Sequence, residues 1–233
     1  MSVIIAMISK NNGVIASDGR ETDTFELKPN DRGVLVADPP PKIKSDGFNK
    51  TFSLNEGRVI GAFCGLVEFS KKTIKEHIDD IIQGMITPDL TLRSIIERIE
   101  TELKLRLDQI DNGEVIRSKR GVDLLIIGRE KPKKLNLLLA SIRFIAKDAN
   151  PITIQRNIYS PHDRGSYCQS YGDDLAQKAI KDLIFIHSHD ATNNLQHLKD
   201  LTLKYLNSGI KKAGIIPYGT HQTCGGNIFM QTI

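Results

Sequence analysis

The order of strand-like and helix-like segments predicts an α+β fold, a four-layer αββα sandwich in which two sheets stack face to face and a helix pair covers each outer side. Three observations lead there. The segments run strands, two helices, strands, two helices, strand along the 233 residues. Several strand-like runs are apolar at nearly every position, which requires cover on both faces. Strand and helix do not alternate singly, and no Gly-x-Gly-x-x-Gly follows a strand, so a doubly wound nucleotide fold is set aside.

The first run, Ser2 to Ser9, reads as a strand, and Lys10-Asn11-Asn12-Gly13 reads as a tight hairpin turn with positive-φ residues leading to Val14 to Ser17. Glu21 to Phe48 turns polar, and Pro39-Pro40-Pro41 forbids helix or central strand there. That stretch is expected to be a long loop, carrying at most a short strand at Gly33 to Ala37. Thr51 to Leu54 and Arg58 to Cys64 form a strand pair across Asn55-Glu56-Gly57. Val67 to Gln83 and Leu92 to Ile110 each place isoleucines or leucines on one face, with a break at Thr87-Pro88-Asp89, and are expected to be helices. After Asn112-Gly113, Val122 to Gly128 and Leu135 to Ala140 read as buried strands, with Ile142 to Ala146 and Ile152 to Ile158 as two more. Asp173 to Ile186 and Asn193 to Leu206 make the second helix pair, and Gly225-Gly226 leads into a last strand, Asn227 to Ile233.

Composition bounds the function. A chain of 233 residues, 39% hydrophobic and 26% charged, supplies one sizeable core, so a single domain over 1–233 is expected. The net charge of +4 comes from scattered Lys and Arg, apart from short clusters such as Lys131 to Lys134, which does not suggest nucleic-acid binding. No apolar run approaches the roughly 20 residues of a membrane helix, and no signal-peptide pattern opens the chain, so a soluble cytoplasmic protein is expected. Cys64, Cys168 and Cys224 lack CxxC spacing and fit buried free thiols. His187-Ser188-His189-Asp190 contains metal-ligand types, but its spacing matches no helix-face motif. Asp190 or Thr192 as a helix cap is the simpler reading, and neither metal nor cofactor is expected. Asp173-Asp174 reads as favourable charge at a helix N-terminus.

Ser2 is the residue that methionine removal would expose. A terminal serine joins a hydroxyl nucleophile to an α-amine with a reference pKa of about 7.7 to 8.0, near enough to neutrality to act as its general base.

The opening S-V-I-I-A-M-I-S-K-N-N-G-V-I-A-S-D-G-R resembles the start of proteasome β subunits and the related bacterial ring peptidase subunit. N-K-T-F-S-L resembles that family's lysine-bearing strand, V-I-G-A-F-C-G its next, Gly-rich strand, and S-Y-G-D-D-L-A-Q-K-A-I its Gly-Ser-Gly turn and following helix. C-G-G-N-I-F-M-Q-T-I resembles its Gly-Gly approach to a late strand. The resemblance implies an N-terminal nucleophile hydrolase. It places Ser2 on the nucleophile, Asp18 on the neighbouring acid, Arg20 on the nearby arginine, Lys50 on the catalytic lysine and the Ala62 N–H on the oxyanion donor. Four positions depart: Ser2 stands where the family has threonine, Ala62 where it usually has glycine, Tyr171 where it has serine, and His221 where it has aspartate.

What the resemblance implies is hydrolysis of peptide or amide bonds without a cofactor, by a homo-oligomer such as a ring with a possible ATPase partner. The alternatives are a small-molecule amidase on the same fold and a catalytically silent assembly subunit, which the Tyr171 and His221 departures would permit. The family's α subunits carry a helical extension ahead of the first strand, and none is read here, which favours the β-like type.

Overall fold

The computed structural model describes residues 2–22, 26–29, 31, 35–38, 42–83, 91–110, 121–130, 136–145, 152–161, 165–186, 194–213 and 224–233. Within them the chain runs β1 (Val3–Ser9), β2 (Gly13–Asp18), β3 (Glu21–Thr22), β4 (Glu26–Pro29), β5 (Leu35–Asp38), β6 (Ile43–Ser45), β7 (Thr51–Leu54), β8 (Val59–Gly65), β9 (Glu68–Phe69) and β10 (Lys72–Thr73). It continues through α1 (Ile74–Gln83), α2 (Leu92–Asp108), β11 (Val122–Arg129), β12 (Leu137–Ile145), β13 (Thr153–Tyr159), β14 (Ser166–Gly172), α3 (Asp174–Ile186), α4 (Leu195–Ala213) and β15 (Ile228–Thr232). The architecture is α+β with antiparallel sheets. One sheet has the order β14-β1-β2-β15, the other β13-β12-β11-β8-β7.

The apolar runs are explained by where alternate residues go. Every residue of β1 is buried. Val3, Ile5 and Met7 join Ala176 and Ile180 of α3 and Leu198 and Leu206 of α4 in one core. Ile4, Ala6 and Ile8 join Ile60, Ala62, Leu125, Ile127 and Leu139 of the other sheet in a second core. A third core packs Val122, Leu124, Ile126 and Ile142 under Ile78 of α1 and Ile95, Ile99 and Leu103 of α2. Each fully buried aliphatic side chain is worth about 1.5–3 kcal/mol, so a strand that fills two cores tolerates little polarity along its length. Among the described residues, no helix is long and apolar enough to cross a membrane.

Several boundaries differ from expectation. Lys10 to Gly13 takes no positive φ; instead the Ser9 N–H donates to Asn12 O at 2.8 Å and the Ser9 hydroxyl bridges the loop. The turn at Asn55, Glu56 and Gly57 does use the left-handed region, at φ 49°, 55° and 82°. The expected loop from Glu21 to Phe48 holds two short ladders, β3 with β6 and β4 with β5, while Pro39 to Pro41 lie outside the described residues. The first helix starts at Ile74, not Val67, because Ser70 and Lys71 at φ 49° and 62° turn β9 back on β10. The two strands expected around Ser141 are one, β12, in which Ser141 is fully buried. β14 is a strand where a turn was expected, and α4 continues to Ala213.

Candidate active site

Asp18 closes β2 and Lys50 directly precedes β7, so the two residues come from different sheets. Both are fully buried and form an ion pair with Lys50 Nζ 3.1 Å from Asp18 Oδ1. The ammonium has three hydrogens and three acceptors around it, since Nζ also donates to Asp18 O at 2.9 Å and Arg20 O at 2.7 Å. The carboxylate is held equally well. Asp18 Oδ1 accepts the Val3 N–H at 2.9 Å and Oδ2 accepts the Gly225 N–H at 3.0 Å. A buried charge pair persists only when its remaining lone pairs and hydrogens are satisfied, and this one meets that condition.

The pair acts directly on the head of β1, because Val3 N–H belongs to the peptide that follows Ser2. Ser2 is 8% exposed. Its carbonyl accepts the Asp173 N–H at 3.0 Å, and a Cβ at Gly172, whose φ is +123°, would stand 1.8 Å from that oxygen. Continued alternation carries Ser2 to the face of Ile4 and Ala6, the face between the sheets. Ser2, Asp18 and Lys50 thus converge at one end of the inter-sheet core.

Arg20 contributes its backbone oxygen to Lys50 and sends its guanidinium outward. Nε and Nη2 bind Asp46 Oδ1 and Oδ2 at 2.6 and 3.0 Å, a bidentate contact that raises Arg20 and lowers Asp46 from their ordinary pKa values. The guanidinium covers Gly225, where a Cβ would meet Cζ at 3.1 Å. Arg20 fastens the Gly225 segment over Asp18.

Ala62 does not supply an oxyanion donor. It lies inside β8, opposite Thr51 on one side and Leu125 on the other. Phe63 N–H bonds Lys50 O, while Leu66 N–H bonds Gly121 O on the β11 side. Antiparallel alternation therefore aims the Ala62 N–H at Leu125, within the ladder.

Tyr171 sits in β14 opposite Ile4, with its ring 5.1 Å from Arg143 Cζ. Burial pushes its phenol up, and the nearby Ser141 hydroxyl offsets part of that shift. Ser141 Oγ itself is buried without a partner at hydrogen-bonding geometry among the described residues. Tyr171 is therefore turned toward β12 and not toward the Ser2 amine. His221 and the His187 to Asp190 segment lie outside the described residues.

Residues beyond those the resemblance implies complete the site. Asp173 caps α3 and fixes Ser2, Gly225 donates to Asp18, and Asp123 with Arg143 forms an ion pair of 2.9 Å on the facing sheet. Cys64 lies opposite Asp123 in the ladder, in the field of Asp123, Lys50 and Asp18, and burial pushes its thiol well up, so it is not a reactive thiolate. Cys64, Cys168 and Cys224 are thiols, not joined in disulfides. Among the described residues, no three His, Cys, Asp or Glu side chains cluster as a metal site. No protein-family model matches the chain, and no curated protein matches it.

Proposed function

We propose that the protein is an N-terminal nucleophile hydrolase of peptide or amide bonds, proteasome β-subunit-like, with an αββα sandwich of that type. The observation that supports this most is the buried Lys50–Asp18 pair whose carboxylate grips the Val3 N–H, the peptide immediately after Ser2. The three cores, one between the sheets and one under each helix pair, support the layering.

In this reading methionine removal frees the Ser2 amine. The amine takes the hydroxyl proton as Oγ attacks the substrate carbonyl carbon, and it passes that proton to the leaving nitrogen as the C–N bond breaks. Water then hydrolyses the acyl ester and restores Ser2. Lys50 supplies a fixed positive charge that favours the developing alkoxide, and Asp18 orients it. The oxyanion donor becomes the Gly65 N–H. It lies on the Lys50 side of β8 by the same alternation that excludes Ala62, past the Phe63 N–H to Lys50 O bond, in a residue at φ +94°. One such donor is worth about 10²–10³ in rate.

The test is covalent labelling of purified protein. Mass spectrometry is expected to show Met1 removed and one acyl adduct on Ser2 after treatment with a β-lactone, lost in Ser2→Ala. An unprocessed terminus in the functional protein, or labelling that survives Ser2→Ala, overturns the reading.

The second reading, a silent assembly subunit, is favoured by one feature. All three Lys50 hydrogens go to Asp18 and Arg20. On that reading Ser2→Ala leaves every assay unchanged.

A further inference from the structure

The facing sheet carries a polar group opposite the head of β1. Along β11 and β12 the even positions Leu124, Ile126, Ile142 and Phe144 face the helices, while Leu125 and Leu139 face between the sheets. The same alternation puts Asp123, Ser141 and Arg143 on the inter-sheet face, with Asp123 opposite Arg143 in the ladder. Arg143 is held from two directions. Its Nε donates to Asp123 Oδ1 at 2.9 Å, and its guanidinium lies over the Tyr171 ring, 5.1 Å from the centroid. That fixes the plane and one edge of the guanidinium, and leaves the two terminal nitrogens as the edge directed away from Asp123.

The position is close to the reacting end. Tyr171 lies opposite Ile4, two residues past Ser2, which is about 7 Å along the strand and about 5 Å across to its neighbour. Of the ion pair, Arg143 is the member an incoming group meets. Its side chain is 44% exposed and that of Asp123 is 19% exposed, so the carboxylate stands behind the guanidinium. Beside them the fully buried Ser141 places its hydroxyl near the Tyr171 phenol, on the side of the ring that faces β12.

We propose that this cluster is a substrate-selecting subsite, in which Arg143 recognises a carboxylate on the substrate of Ser2. A planar carboxylate matches the two parallel N–H groups of a guanidinium edge, and a guanidinium already oriented by Asp123 and Tyr171 loses little freedom on binding it. The inference rests on the hydrolase reading only for the position of the substrate.

The experiment uses the full chain carrying Ser2→Ala, titrated calorimetrically with N-acetylglutamate and, separately, N-acetylglutamine. N-acetylglutamate is expected to bind at least about tenfold more tightly, as a charge-assisted pair allows. Arg143→Gln is expected to erase the difference. Because that variant leaves Asp123 without its partner, Arg143→Gln/Asp123→Asn is measured beside it, with the same loss expected. Equal binding of the two probes, binding of neither, or a preference that survives both variants overturns the proposal. This readout needs no turnover, so it is distinct from failure of Ser2 labelling, which would sink the hydrolase reading alone.

Discussion

His77 shows how a single buried base couples to its surroundings. It lies in α1 at 5% exposure, its ring stacked on Phe69 with centroids 3.8 Å apart. Arg106 Nη1 lies 3.2 Å from Nδ1 and, as a guanidinium, can only donate. The imidazole proton therefore sits on Nε2 and is given to Phe69 O at 3.1 Å. Burial lowers the His77 pKa, with the Arg106 charge adding to that and the Phe69 contact opposing it. The sign for stability follows. An unfolded imidazole protonates near about pH 6.5, and the folded one only at lower pH. Between the two the unfolded chain binds more protons, so stability rises with pH and is lost on acidification through that window. Urea unfolding at steps from about pH 7.5 down to about pH 5.5 is expected to show a falling midpoint, with a shallower fall in His77→Gln. Equal slopes in the two proteins would remove His77 from the explanation.

At the scale of elements, the start of α3 does two jobs. Asp173 Oδ1 accepts the Leu175 and Ala176 N–H groups, each at 3.0 Å, while the Asp173 N–H holds Ser2 O. Asp173→Ala removes the cap and keeps the backbone donor, so it is expected to cost about 1 kcal/mol in denaturant unfolding. Gly172→Ala is expected to cost more, because its Cβ would press on Ser2 O. If the order of the two is reversed, the cap outweighs the close approach.

The elements also show what was readable in the chain. The helices and the apolar strands follow from periodicity, since each buries a face or fills two cores. The start of α1 was readable too, from Thr73-x-x-Glu76. Thr73 N–H donates to Glu76 Oε2 at 2.7 Å and Glu76 N–H to Thr73 Oγ1 at 3.2 Å. Apolar residues before it obscured that signal. β12 was divided at Ser141 because a buried serine looks like a boundary. β14 was missed because Ser166 to Gly172 alternates only weakly in polarity. For the site, Asp18, Lys50 and Arg20 were legible through motif order, and the structure brings them together. The role given to Ala62 was not recoverable from composition, since which N–H groups a ladder consumes depends on register. The Arg143–Asp123 pair depends on the pairing of β11 with β12, which no local pattern encodes.

Across the whole molecule, the inter-sheet core is graded from apolar to polar. At one end Gly13 sits so close to Ile127 and Ile233 that a Cβ would meet their methyl carbons at 2.8 and 2.9 Å. At the other end the contacts between sheets are polar: Lys50 to Asp18 and Arg143 over Tyr171. Such a gradient closes the sandwich firmly at one end and leaves chemistry at the other. It also makes Lys50 a structural residue as well as a candidate catalytic one, and the two roles separate by experiment. Lys50→Met leaves the Asp18 carboxylate buried without its counter-ion, which is expected to cost about 3–5 kcal/mol in urea unfolding. Adding Asp18→Asn removes the orphaned charge and keeps an acceptor for the Val3 N–H. The double variant is therefore expected to recover part of the loss, with a coupling of about 1–3 kcal/mol. Ser2 labelling by the β-lactone is expected to stay absent in both, because a neutral pair restores packing without restoring the positive charge. Recovery of labelling in the double variant would mean that Lys50 only holds the sheets together, and a double variant no more stable than Lys50→Met would mean that charge does not couple them.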